Sequence, residues 1–89
     1  MLNEIVLREV LLTGRHRPTG ATVHVVGGSE LPTPAMLRIS RYDDQAGFYL
    51  LYLDHEGVEM TDTWHETVEA AMAQATFEFE VEPLEWHEP

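Results

Sequence analysis

Residues 48–53 read Phe-Tyr-Leu-Leu-Tyr-Leu, and residues 54–57 read Asp-His-Glu-Gly. An unbroken apolar run closed by a turn sequence reads as a central strand buried on both faces. Asp54 first and Gly57 fourth suit a type I turn. Beyond the turn, residues 58–64 alternate apolar and polar at first and are rich in threonine, which favours a further strand. The spacing then changes. Val68, Ala71, Met72, Ala75 and Phe79 fall at i, i+3, i+4, i+7 and i+11, one stripe of an amphipathic helix.

Both ends of that helix carry competing signals. Thr63 with Glu66 makes a capping-box pattern, while Thr67 suits a later start that leaves Trp64 on the strand; the later start is preferred. Residues 77–82, Phe-Glu-Phe-Glu-Val-Glu, alternate at strand spacing, yet no turn residue separates them from the helix. The helix is therefore extended to about residue 79, with Pro83 stopping it. Leu84 and Trp86 are expected to fold back as a hydrophobic latch.

Upstream, residues 36–42 read as a strand, with a short helix as the alternative because Pro34 suits a first helical turn, and 43–47 read as a turn. Residues 4–12 and 21–26 read as two strands joined by the glycine-bracketed loop 14–20, an expected hairpin with a basic tip. Residues 27–34, with two glycines and two prolines, read as an irregular connection. Sequential antiparallel strands followed by a helix define an α+β domain over residues 1–89: an antiparallel sheet of about four to five strands under one C-terminal amphipathic helix.

The chain has 89 residues and no cysteine, so disulfides, thiolate metal sites and cysteine nucleophiles are excluded. A domain this small without disulfide staples fits a reducing compartment. No apolar run reaches the length of a membrane span, and the N-terminus lacks the pattern of a signal peptide, so a cytoplasmic location is expected. Sixteen acidic residues face five basic ones, for a formal charge of −11. All five cations are arginines before residue 45, whereas residues 46–89 hold eleven acids and neither lysine nor arginine. Such a field repels nucleic acid and anionic lipid and attracts basic surfaces.

The acidic end is the leading candidate site. Glu78, Glu80, Glu82 and Glu85 crowd the helix C-terminus, the wrong sign for the helix dipole, and no lysine or arginine offsets them. With Glu66 and Glu69, and Phe77 as an apolar anchor, they form an expected docking face for a basic protein. The bland alternative is a solvated acidic face. Arg15 and Arg17 make a weaker anion-site candidate, because the spacing and following residues of a phosphate loop are missing. No catalytic residue, cofactor or metal site is assigned: His65-Glu66 lacks the second histidine of a zinc-protease helix motif. Tyr49, Tyr52, Trp64 and Trp86 are candidates for a binding surface but read mainly as packing. A second functional reading is a small-ligand or metal-binding protein, with minor enzymatic activity, using His55, His65 and Asp62 or Arg15 and Arg17. A third is a homo-oligomer paired through an exposed edge strand.

The segments 47–54, 59–65 and 69–79 of the C-terminal half resemble a family of small standalone bacterial proteins of unassigned function. The resemblance implies strand, turn and helix and carries no catalytic residue. Relatives are expected to end the helix with a glycine where this chain has Glu80. Some small acidic bacterial α+β proteins are immunity proteins, and that likeness implies an inhibitor or adaptor role.

Overall fold

A computed structural model describes residues 3–13, 16, 25, 26, 28–30 and 32–89. Its strands are β1 (Glu4–Leu11), β2 (Val25–Val26), β3 (Ser29–Glu30), β4 (Met36–Tyr42), β5 (Phe48–Leu53) and β6 (Glu59–His65). They are followed by helix α1 (Val68–Phe79) and a 3-10 turn at Pro83–Glu85. Four strands form one antiparallel sheet in the order β1-β4-β5-β6, and β2 pairs with β3 as a separate two-residue ladder. This is an α+β fold, with one helix packed on the sheet near the C-terminus.

β5 is an inner strand because its side chains are apolar on both sides. Leu50 and Tyr52 face the core under α1, while Leu51 and Leu53 are buried on the opposite face. Among the described residues, β1 and Val25–Val26, the end of the expected second strand, are not paired with each other. β1 lies against β4, with Val10 opposite Leu37 and Glu9 opposite Arg38. Val25–Val26 pairs instead with Ser29–Glu30, which lies in the stretch read as irregular. Residues 21–24 lie outside the described residues. Two single-residue irregularities, between Val6 and Arg8 and between Tyr52 and Leu53, shift the register of β1 and β6. Such bulges bend and twist a strand.

Thr67 caps α1, its hydroxyl accepting from the Ala70 backbone N–H at 3.0 Å. Ala71, Ala75 and Phe79 pack into the core with Val10, Leu37, Ile39, Leu50 and Tyr52. The helix ends before Pro83. Glu80 takes a left-handed conformation, φ 58 and ψ 34, and its N–H closes on Thr76 O at 2.9 Å. The chain then returns across the core. Val81 is fully buried and Trp86 enters the same cluster, while Leu84 is 98% exposed. The latch is therefore Val81 and Trp86; Leu84 sits on the exposed side of the 3-10 turn. His87 completes it by exchanging two backbone hydrogen bonds with Glu9 on the free edge of β1, at 2.9 and 2.8 Å.

Candidate functional site

The acidic residues of the C-terminal quarter differ in exposure. Glu66, Glu69, Glu80 and Glu82 are exposed. Glu69 borders a shallow groove of about 460 Å³ lined also by Met72, Ala73, Thr76 and Pro83. Phe77, one turn beyond Ala73, is 57% exposed. Glu85 is tied down twice: it accepts from the Glu82 backbone N–H at 2.7 Å and meets His16 Nε2 at 2.8 Å. The Thr13 backbone N–H donates to His16 Nδ1 at 2.9 Å, so the imidazole carries its proton on Nε2 and donates it to Glu85. This buried histidine fastens the segment after β1 to the tail. Arg15 and Arg17, its neighbours in the chain, lie outside the described residues.

Glu78 departs from the docking face read in the sequence. Only 2% of it is exposed. Its carboxylate accepts from the Tyr52 hydroxyl, itself in the core, and from Gln74 Nε2 at 3.1 Å. It presents no charge to a partner. Burial, and then the bond to Glu78, raises the Tyr52 pKa well above its ordinary value. Thr63, whose hydroxyl lies 2.7 Å from His65 Nε2, continues this polar group onto β6. Burial lowers the His65 pKa, and the nearby Glu78 carboxylate partly offsets that. Tyr52 and Glu78 are too enclosed to meet a substrate. They join helix to sheet, and a buried hydroxyl and carboxylate satisfied by each other are what such an interface requires.

His55 is exposed in the β5–β6 turn, whereas His65 is engaged with Thr63. Among the described residues no three histidine, aspartate or glutamate side chains are placed to hold a metal ion. Asp54 serves the turn itself, its Oδ1 accepting from the Glu56 and Val58 backbone N–H groups, both at 2.9 Å.

A second polar surface lies on the sheet face turned away from α1; Tyr49 and Trp64 are binding-surface candidates in the sequence alone, but they are not grouped there with Tyr42 and Glu59. Tyr49 of β5 stands opposite Ser40 of β4 and Trp64 of β6. Tyr42, two residues beyond Ser40, meets Tyr49 edge to face, with ring centroids 5.4 Å apart at 74°. Trp64 is 50% exposed and is fixed at the β4–β5 turn, where its Nε1–H donates to Ala46 O at 3.1 Å. The indole occupies the space a side chain on Gly47 would need: a Cβ there would come within 2.2 Å of Nε1, and Gly47 has φ +88. Tyr49 donates to Gln45 Oε1 at 2.9 Å. Burial raises the Tyr42 pKa, and the charges of Glu4, Glu59 and Asp62 add to the rise. Glu59 is raised too, by burial, by its hydrogen bond with Asp62, and by the charges of Asp62 and Glu4. The strand order brings these residues together. The alternation of β4, β5 and β6 could have assigned each to this face, but only once the pairing was known.

The fold and these surfaces define a small α+β domain without an enclosed reactive centre among the described residues. Comparison of the chain with protein-family models, curated proteins and solved structures finds no match. The resemblance read in the sequence therefore carries no argument about function. No helix among the described residues is long and apolar enough to cross a membrane.

Proposed function

We propose that the domain is a protein-binding module that docks a basic partner on the outer face of α1 and the adjoining tail, in the manner of an immunity-type inhibitor or adaptor. The observation that carries this reading is the groove of Glu69, Met72, Ala73, Thr76 and Pro83, on a stretch of chain where Glu66, Glu80 and Glu82 are also exposed. An apolar floor with a charged rim is the usual anatomy of a protein interface. No lysine or arginine in residues 46–89 dilutes the field. Complementary charge would speed and select the encounter, and apolar contact at Met72 and Phe77 would hold it.

The test uses tagged protein to recover partners from lysate of its source cells, at low and then high salt, beside the double variant Glu66→Lys, Glu69→Lys. A lysine- and arginine-rich protein that leaves at high salt, and that the variant holds at least about tenfold more weakly, supports the reading. The same captured proteins on both forms, with both folded by circular dichroism, overturn it.

A further inference from the structure

The sheet face away from α1 supports an inference beyond the helix docking face. We propose that Tyr42, Tyr49 and Trp64, together with the Glu59–Asp62 pair, form a binding site for the guanidinium of an arginine presented by a basic protein segment.

Three observations converge. The first is the ring row. Tyr42 and Tyr49 are locked edge to face, and Trp64 is held over Gly47 by its bond to Ala46 O with half its surface exposed. Trp64 and Tyr49 spend their polar atoms on the β4–β5 turn, which leaves aromatic surface for a ligand. Fixed rings cost little entropy on binding and attract cations through their faces.

The second is charge. Glu59 and Asp62 are exposed, lie on this face of β6 opposite Leu53 and Leu51, and their charges act on each other and with that of Glu4. Among the described residues neither has a cationic partner. Two like charges side by side are a cost that an incoming cation removes.

The third is a precedent on the same face. Arg38 places its guanidinium between Glu9, at 3.0 Å from Nε, and Glu4, at 3.8 Å from Nη1. One side of this sheet face already holds a guanidinium between two carboxylates. The β6 side has the carboxylates and the rings but, among the described residues, no cation of its own. A guanidinium suits it better than an ammonium, because it is planar, weakly hydrated, stacks on aromatic rings and bonds carboxylates through a fork of donors.

The experiment is an NMR titration of the full chain with the peptide acetyl-Gly-Arg-Gly-amide, and with its lysine counterpart, at constant ionic strength. The arginine peptide is expected to shift the Trp64 indole N–H and the amides of Tyr42, Tyr49, Glu59 and Asp62 saturably. It should bind about three- to fivefold more tightly than the lysine peptide. Glu59→Gln with Asp62→Asn should weaken it about fivefold or more, while Glu66→Lys with Glu69→Lys should leave it unchanged. The latter pair separates this site from the helix face, so either reading can fail alone. Equal affinity for the two peptides, shifts spread over all acidic residues, or an unchanged affinity in the Glu59→Gln, Asp62→Asn form would overturn the proposal.

Discussion

Glu80 is the only non-glycine residue with positive φ among the described residues. An L side chain in the left-handed region costs about 1 kcal/mol or more, which glycine avoids. Its carboxylate also stands at the negative end of the α1 dipole, an added penalty of roughly 0.3–1 kcal/mol. Glu80→Gly is therefore expected to stabilise the domain by about 1 kcal/mol, with Tm rising by roughly 4–8 °C for a domain of this size. Thermal unfolding followed by circular dichroism checks this, and an unchanged or lower Tm would mean that the Glu80 side chain contributes more than its backbone costs. The helix end near residue 79 was legible in the sequence, but the left-handed conformation at Glu80 was not. The fate of Glu78 was half legible: it lies three residues after Ala75 and seven after Ala71, on the buried stripe itself. Residue type argued the other way, because a glutamate is almost never fully buried without a partner. That partner, Tyr52, lies 26 residues earlier, beyond the reach of any local pattern. Trp86 remains imperfect in the described structure, its buried Nε1 having no hydrogen-bond partner.

At the scale of elements, the Tyr52–Glu78 bond fastens α1 to β5. Tyr52→Phe removes a donor and leaves a buried carboxylate with one bond fewer, which should cost about 1–3 kcal/mol. The pH dependence distinguishes this from simple loss of packing. The folded-state pKa of Tyr52 lies above its ordinary 10.0, so above pH 10 the unfolded chain loses the proton first. Stability from this group is complete below pH 10 and is lost as pH rises toward the folded pKa, at a limiting slope of about 1.4 kcal/mol per pH unit. Urea unfolding of the wild type and of Tyr52→Phe from pH 8 to 11.5 should show a shallower alkaline decline in the variant. Tyr42, raised in the same direction, keeps that decline from vanishing. Parallel curves would remove the Tyr52 hydroxyl from the account. Elements themselves were the most legible level, since β4 begins and ends where its pattern does and α1 starts after the Thr67 cap. Their partners were not. β1 pairs with β4 across a long connection, and the period-2 signal that marks a strand says nothing about its neighbour. The face bearing Tyr42, Tyr49, Trp64, Glu59 and Asp62 depends on that pairing, so its grouping was not legible, although Tyr49 and Trp64 were each candidates for a binding surface.

The whole molecule carries a formal charge of −11, and its acids are not evenly relieved. Arg8 approaches Glu88 at 3.4 Å and Arg38 serves Glu9 and Glu4, so the arginines among the described residues lie on β1 and β4. β6 receives none of these contacts. Two groups there impose opposite pH dependences. His65 has a folded pKa below 6.5, so the unfolded chain takes up the proton first and stability falls as pH drops through 6.5. Glu59 has a folded pKa above 4.5, so its contribution is complete below pH 4.5 and is lost as pH rises through the folded value. At neutral pH the ionised Glu59 therefore works against the fold. Glu59→Gln should stabilise the protein at pH 7 by roughly 0.2–1 kcal/mol, the size of an exposed charge pair. The gain should shrink below pH 4.5 and also shrink in molar salt, where screening weakens the repulsion. Urea unfolding at pH 4 and pH 7, at low and high salt, tests all of this; a gain that persists at pH 4 would point to packing rather than charge. The same substitution should loosen the hold on an arginine peptide. A residue whose removal strengthens the fold and weakens binding is one the fold alone would not retain, and that opposition separates a functional carboxylate pair from an acidic surface that merely keeps the protein in solution.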